Sequence, residues 1–148
     1  MKTNTHDWDA LETKAMALAG HWFDGVKDKG GQPYIAHVRR VAEGCASPAG
    51  RVVGWLHDLL EDTAIPFKDI SEVFPPEVTL AVVALTRLKG EVYLTDFIPR
   101  IALNPLAVEV KLSDLRDNSD LSRPFANPDM VAKRYKPAIA LLEKGLGL

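Results

Sequence analysis

Two histidines and a run of carboxylates are the residues of this sequence best suited to chemistry. The densest group lies in Val52-Val53-Gly54-Trp55-Leu56-His57-Asp58-Leu59-Leu60-Glu61-Asp62-Thr63. Wound as a helix at about 100° per residue, Val52, Val53, Trp55, Leu56, Leu59 and Leu60 fill one broad arc. His57, Asp58, Glu61 and Asp62 fill the opposite arc as three- and four-apart neighbours. No lysine or arginine falls between Val52 and Pro66 to relieve the three carboxylates. Solvated helical faces tend to alternate charge sign, and a like-charged cluster packed inside an apolar bundle needs a cation to offset its repulsion. On this segment alone two readings stand: a metal site, or an exposed acidic face with an incidental histidine.

Two further segments bear on that choice. Pro33-Tyr34-Ile35-Ala36-His37 opens a helix that continues through Val38, Val41 and Ala42. This places His37 in the first turn, where the helix dipole favours a neutral, metal-binding imidazole. In Val108 to Asn118, the residues Lys111, Asp114 and Asn118 share one face between apolar neighbours. Taken singly, His37 reads as a capped or core histidine and Asp114 as a surface acid. Taken together, His37, His57, Asp58 and Asp114 make a mixed nitrogen and oxygen set suited to manganese, iron(II) or zinc rather than calcium or copper. On a six-coordinate ion, four protein ligands leave about two positions for water and substrate.

The elements that position these residues are helical. Ser47-Pro48, Asn104-Pro105 and Asn127-Pro128 each join a good N-cap to a proline suited to the first helical position. Pro66 and Pro75-Pro76-Glu77 mark two more starts. Helices are expected near 7–24, 35–46, 48–62, 66–73, 76–88, 93–103, 105–119 and 128–145, with loops at 25–32 and around Lys89-Gly90. Alternating strand patterns of useful length, repeats, low-complexity tracts and linkers are absent. The expected fold is all-α, one compact single-domain helical bundle over 1–148 with 1–6 disordered, its site built from side chains on facing helices.

Composition sets the outer limits. The 148 residues are 47% hydrophobic and 26% charged, with net charge −2 from 18 basic and 20 acidic side chains, values ordinary for a globular domain. No half of the chain is strongly basic, so a polymeric nucleic-acid partner is not expected. The longest apolar run, Leu80 to Leu85, falls far short of the roughly 20 residues of a membrane span. The lone Cys45 excludes an internal disulfide and fits a reducing, cytoplasmic setting. Cys45 itself reads as buried packing, and His21 as a packed or boundary histidine. Trp8, Trp22 and Trp55 read as core or boundary anchors, and His6 as polar surface. The Gly25–Gly31 stretch does not match the phosphate-binding loop pattern. Self-association is left open.

The order of the candidate ligands, H…HD…D, resembles the signature of the HD superfamily of phosphohydrolases. The match extends to Gly31-Gln32-Pro33-Tyr34-Ile35-Ala36-His37, His57-Asp58-Leu59-Leu60-Glu61-Asp62-Thr63, Leu85-Thr86-Arg87 and Val110-Lys111-Leu112-Ser113-Asp114 through Asn118. Over roughly Leu18 to Leu142 the chain resembles the hydrolase domain of the bacterial (p)ppGpp synthetase/hydrolase enzymes and the small alarmone hydrolases. The resemblance implies an HD-type bundle in which His37, His57, Asp58 and Asp114 hold Mn2+ or another divalent transition metal. It implies that Glu61 and Asp62 position and deprotonate the attacking water, and that Asn118 contacts the nucleotide sugar. The reaction implied is removal of a 3′-pyrophosphate from a guanosine or adenosine alarmone, with a nucleotidase or nucleotide phosphatase as the alternative. A metal- or nucleotide-binding module without turnover is a third reading. Lys111, Lys29 and Arg100 are the candidate cations for substrate phosphate. Where the long alarmone enzymes carry an arginine that packs on the base, this chain has Asp28, which cannot offer a cationic plane.

Overall fold

The computed structural model describes residues 6–145. Of the terminal residues expected to be disordered, 1–5 lie outside the described residues. His6 is described, edge-on to Trp8 and 3.5 Å from Glu77.

The helices are α1 (Trp8–Trp22), α2 (Tyr34–Glu43), α3 (Pro48–Leu56), α4 (Leu59–Asp62), α5 (Lys68–Ser71), α6 (Pro76–Ala84), α7 (Ile98–Ile101), α8 (Pro105–Asn118), α9 (Pro128–Met130) and α10 (Lys136–Gly145). π-helical turns at Tyr93–Phe97 and Val131–Tyr135 lead into α7 and α10. Among the described residues there is no strand, and extended pairing is limited to one bridge between Lys27 and Pro33.

The proline-marked starts form as their residue types dictate. Ser47, Asn104 and Asn127 accept hydrogen bonds from Gly50, Ala107 and Asp129 N–H groups, each with proline at the first helical position. Asp7 caps α1 by accepting from Ala10 N–H at 3.1 Å.

The expected helix 48–62 is interrupted. The His57 Nδ1 lies 2.7 Å from the Gly54 carbonyl, and the chain turns at His57-Asp58 before α4 begins. Expected helix 76–88 ends at Ala84, where the Thr86 hydroxyl donates to the Val82 carbonyl and the chain turns toward Gly90 at φ 87°. Expected helix 93–103 starts wide because Asp96 N–H and Phe97 N–H both donate to the Val92 carbonyl, while the Asp96 carboxylate accepts from Val92 N–H.

The frame around the site is α1, α2, α3 and α8, with α3 packed on the other three and α2 also on α8. Three contacts fix it. A Cβ on Gly54 would stand 2.6 Å from Ala42 Cα, so α2 and α3 touch backbone to backbone. The Ser113 hydroxyl donates to the Val41 carbonyl at 2.7 Å, binding α8 to α2. Glu109 accepts from both the backbone and the hydroxyl of Ser47, tying α8 to the start of α3. Around these contacts Val38, Val41, Val52, Val53, Leu56, Leu59 and Leu115 are fully buried. Trp55 is buried, and its indole N–H donates to Glu12, which also takes Arg51. Trp8 and Trp22 pack against the core's edge, but His21, expected at a boundary, is exposed beside Trp22.

Candidate metal centre

Four side chains converge where α2, the α3–α4 turn and α8 meet. His37, His57, Asp58 and Asp114 each offer a ligand atom, and these atoms lie within 4.8 Å of one another. α2 supplies His37, the turn supplies His57 and Asp58, and α8 supplies Asp114. His37, His57 and Asp114 are 3%, 2% and 5% exposed, too deep for an ordinary solvated acidic face.

The donor set fits a metal on an observation independent of the motif. With the His57 Nδ1 against the Gly54 carbonyl, the Nδ1 carries a proton and Nε2 faces inward. That Nε2 is buried with no hydrogen-bond partner, although Asp58 Oδ2 is 3.1 Å away and Asp114 Oδ1 3.5 Å. On His37, Nδ1 lies 2.6 Å from Asp117 Oδ2, and Nε2 faces Asp114 Oδ1 at 3.0 Å. Two imidazoles thus turn one nitrogen outward to a partner and the other toward two carboxylates.

Electrostatics agree with a cation site. Burial would raise Asp114, but Lys111, His37 and His57 hold it well below the usual carboxylate range. Burial likewise opposes the ionised Asp58, and His57 and His37 keep its carboxyl low. Burial alone would lower His37, yet the Asp114 and Asp117 carboxylates lift it to about 9, so without metal the ring holds a proton at neutral pH. The neutrality expected of a first-turn histidine is therefore overridden: two carboxylates in direct contact outweigh the helix end.

Glu61 and Asp62 lie one turn beyond the ligands, both in the wall of a cavity of about 880 Å³. Glu61 accepts from Arg87 N–H at 2.8 Å. Partial burial, with Asp58 and Glu61 nearby, raises Asp62 to about 6. His37, Lys29 and Asn118 line the same cavity, and Asn118 Nδ2 donates to Asp114 Oδ1 at 3.3 Å. Lys111 is brought to the centre differently: its ammonium donates to Asp114 Oδ2 at 3.0 Å and lies over Tyr93 and Phe97.

Arg100 is not brought to the cavity. Its guanidinium grips both Glu91 oxygens and the carbonyls of Ala84 and Thr86, which fastens the α6–α7 connection and leaves it committed to the fold. Asp28 is also explained by folding. Its Oδ1 accepts from Gly30 and Gln32 N–H groups and shapes the 24–33 loop. Gly30 lies so close to Pro124 and Phe125 that a Cβ would meet their backbone at 2.7 Å, which locks this loop to the 119–127 segment.

Two residues bonded to the candidate ligands were given no role in the sequence reading. Tyr34, at the first position of α2, donates its hydroxyl to Asp58 Oδ2. Asp117, one turn after Asp114, takes His37, Arg40 and Arg123. Its i, i+3 spacing from Asp114 was the available signal. Cys45 behaves as expected, donating to the Val41 carbonyl while burial and Glu109 push its thiol up to about 12.

No family model matches the chain. A GTP pyrophosphokinase of Streptomyces coelicolor is 33% identical over 117 residues, covering 71% of this chain and 14% of that protein. A Mycoplasma pneumoniae protein named "Probable guanosine-3′,5′-bis(diphosphate) 3′-pyrophosphohydrolase" is 33% identical over 86 residues, covering 55% of this chain and 12% of its own length. The chain thus matches only about a seventh or less of these relatives. A solved structure described as a metazoan ortholog of SpoT that hydrolyzes ppGpp superposes with a TM-score of 0.71 at 22% identity, covering 98% of this chain and 88% of that one. No helix among the described residues is long and apolar enough to cross a membrane. In sequence and in fold this chain resembles the HD-type hydrolase domain of the RelA/SpoT enzymes.

Proposed function

We propose that this chain is a metal-dependent pyrophosphohydrolase of nucleotide 3′-pyrophosphates, with ppGpp or its adenosine counterpart as substrate. The observation that carries the reading is the convergence of two histidines and two aspartates, three of them buried, beside a cavity whose wall holds His37, Glu61 and Asp62. His37, His57, Asp58 and Asp114 would hold the ion, a divalent transition metal by its mixed nitrogen and oxygen donors and Mn2+ by the resemblance. Bound there, a divalent ion supplies Lewis acidity to water and phosphate oxygens. Glu61 and Asp62 then hold the attacking water and accept its proton. Water oxygen bonds to the phosphorus attached to the ribose 3′ oxygen as that ester bond breaks, the departing 3′ oxygen takes up a proton, and the products are pyrophosphate and the nucleoside 5′-diphosphate.

Asn118 and Lys29 face the cavity, where sugar and phosphate groups would lie. Phe23, Val26, Phe125 and Met130 give the same cavity an apolar wall suited to a flat base. Lys111 offsets charge at Asp114. A small nucleotide as partner and a cytoplasmic setting, where such nucleotides occur, complete the reading.

The test is incubation with Mn2+ and a panel of guanosine and adenosine 3′-pyrophosphates, with products separated chromatographically and Asp58→Ala as control. Metal-dependent pyrophosphate release, lost in Asp58→Ala, is the expected result. Release of orthophosphate instead would move the chain to the nucleotidase reading. Metal binding without turnover of the panel would overturn the enzymatic reading.

A further inference from the structure

We propose that Asp117 is the positioning residue of the metal centre, holding His37 in the one ring orientation and tautomer that presents Nε2 to the ion. The inference rests on the metal reading above. Asp117 is 8% exposed and lies on α8, one turn from Asp114. Its Oδ2 is 2.6 Å from His37 Nδ1. Arg40, half-buried on α2, donates from Nε to Oδ1 at 2.7 Å and from Nη2 to Oδ2 at 3.1 Å. Arg123 brings its Nε to 3.3 Å from Oδ1.

The two-point grip of Arg40 fixes the carboxylate plane and keeps it ionised. An ionised carboxylate only accepts hydrogen bonds, so the proton of a neutral His37 must sit on Nδ1. The lone pair then falls on Nε2, the atom already 3.0 Å from Asp114 Oδ1 inside the ligand group. Asp117 thereby does for His37 what the Gly54 carbonyl does for His57, but with a charged acceptor that also raises the ring's basicity as a ligand. Arg40 and Arg123 hold Asp117 from its far side, where a second hollow of about 430 Å³ opens to solvent. The two Arg40 hydrogen bonds keep the carboxylate from turning away.

Asp117→Asn exposes the dependence. An amide has one accepting oxygen, and Arg40 and His37 cannot both be satisfied as before. If the oxygen stays with Arg40 Nε, the amide N–H group faces Nδ1 and drives the ring to the wrong tautomer.

The experiment is competitive Zn2+ titration at pH 8 of the parent, Asp117→Asn and Arg40→Gln. Far-UV circular dichroism and melting of the metal-free proteins accompany it, with long-range proton–nitrogen spectra of the Zn2+-loaded imidazoles. The expected result is a 10- to 100-fold weaker Zn2+ affinity for Asp117→Asn and a smaller loss for Arg40→Gln. The parent should show protonated Nδ1 on His37, a signal that weakens or exchanges in the variants. Asp117→Asn binding within twofold of the parent, with unchanged His37 signals, overturns the inference while leaving the metal centre standing. A parent that binds no Zn2+ overturns the metal reading itself, and the inference with it. Should Asp117→Asn not fold, Arg40→Gln decides, since unchanged affinity and unchanged His37 signals there overturn the proposal.

Discussion

Gly54→Ala should damage the metal centre through the backbone. A Cβ on Gly54 would lie 2.6 Å from Ala42 Cα, 3.0 Å from its nitrogen and 3.1 Å from its Cβ. Carbon atoms pack comfortably at about 3.5–4.0 Å, so the α2–α3 crossing must open by about 1 Å. Overpacking of this kind costs about 1–3 kcal/mol, from which the gain of replacing a helical glycine recovers at most about 1 kcal/mol. The net loss of up to about 2 kcal/mol lowers Tm by up to about 8 °C for a domain of this size. The larger effect falls on binding. His37 rides on α2 and His57 caps α3, so the same opening separates ligand atoms now within 4.8 Å of one another. Metal sites tolerate distance errors of only about 0.2 Å, and affinity should fall by about tenfold or more. Gly20→Ala is the control: it lies near the exposed end of α1 with nothing within 4 Å of a built Cβ, and should raise Tm slightly. Thermal melting and metal titration of the two variants side by side read both effects. If Gly54→Ala melts and binds like the parent, the backbone contact does not set the ligand spacing.

Three further outcomes can be read in the metal-free protein. His37, lifted to about 9 from an ordinary 6.5, stabilises the metal-free fold below about pH 6.5 and loses that contribution as pH rises through 9. Metal-free Tm should therefore fall over that window, while metal affinity climbs up to about tenfold per pH unit as the competing proton leaves; calorimetry showing no proton release on binding would contradict this. Asp62, raised to about 6, destabilises the fold increasingly as pH rises from 3.8 to 6 and fully above that. Asp62→Asn should then raise metal-free Tm at pH 7 to 8, have no such effect below pH 4, and abolish turnover; a lower Tm at pH 8 refutes the charge argument. Arg100→Ala should lower Tm by freeing Glu91 and the Ala84 and Thr86 carbonyls, yet leave metal affinity within about twofold by the distance argument. A large loss of affinity with no change in Tm would restore Arg100 to the site.

What the sequence made legible follows the range of the interactions involved. Helix starts at Ser47-Pro48, Asn104-Pro105 and Asn127-Pro128 are decided by a cap and a proline a residue apart. The four candidate ligands stood out because metal chemistry narrows residue type so sharply that H…HD…D carries information even across 77 residues, from His37 to Asp114, and the fold brings them together. The break at His57-Asp58 was not, because it depends on an imidazole reaching back to Gly54, a side-chain bond that competes with the helix. Arg100 and Asp28 show the same limit from the opposite side. As a residue type Arg100 invites a role on substrate phosphate and Asp28 reads only as a missing cationic plane, but the first is engaged by folding bonds to Glu91 and the second shapes its own loop. Asp117 was missed for the converse reason. Its type suits an exposed helical acid, and it reaches the candidate centre only because α2 lays His37 and Arg40 across it, joining residues 80 and 77 positions apart. A site's ligands are thus constrained by chemistry that any fold must satisfy, whereas the groups that orient those ligands are constrained by where this fold brings its helices together. The first kind of constraint is written in residue types, and the second is written in packing.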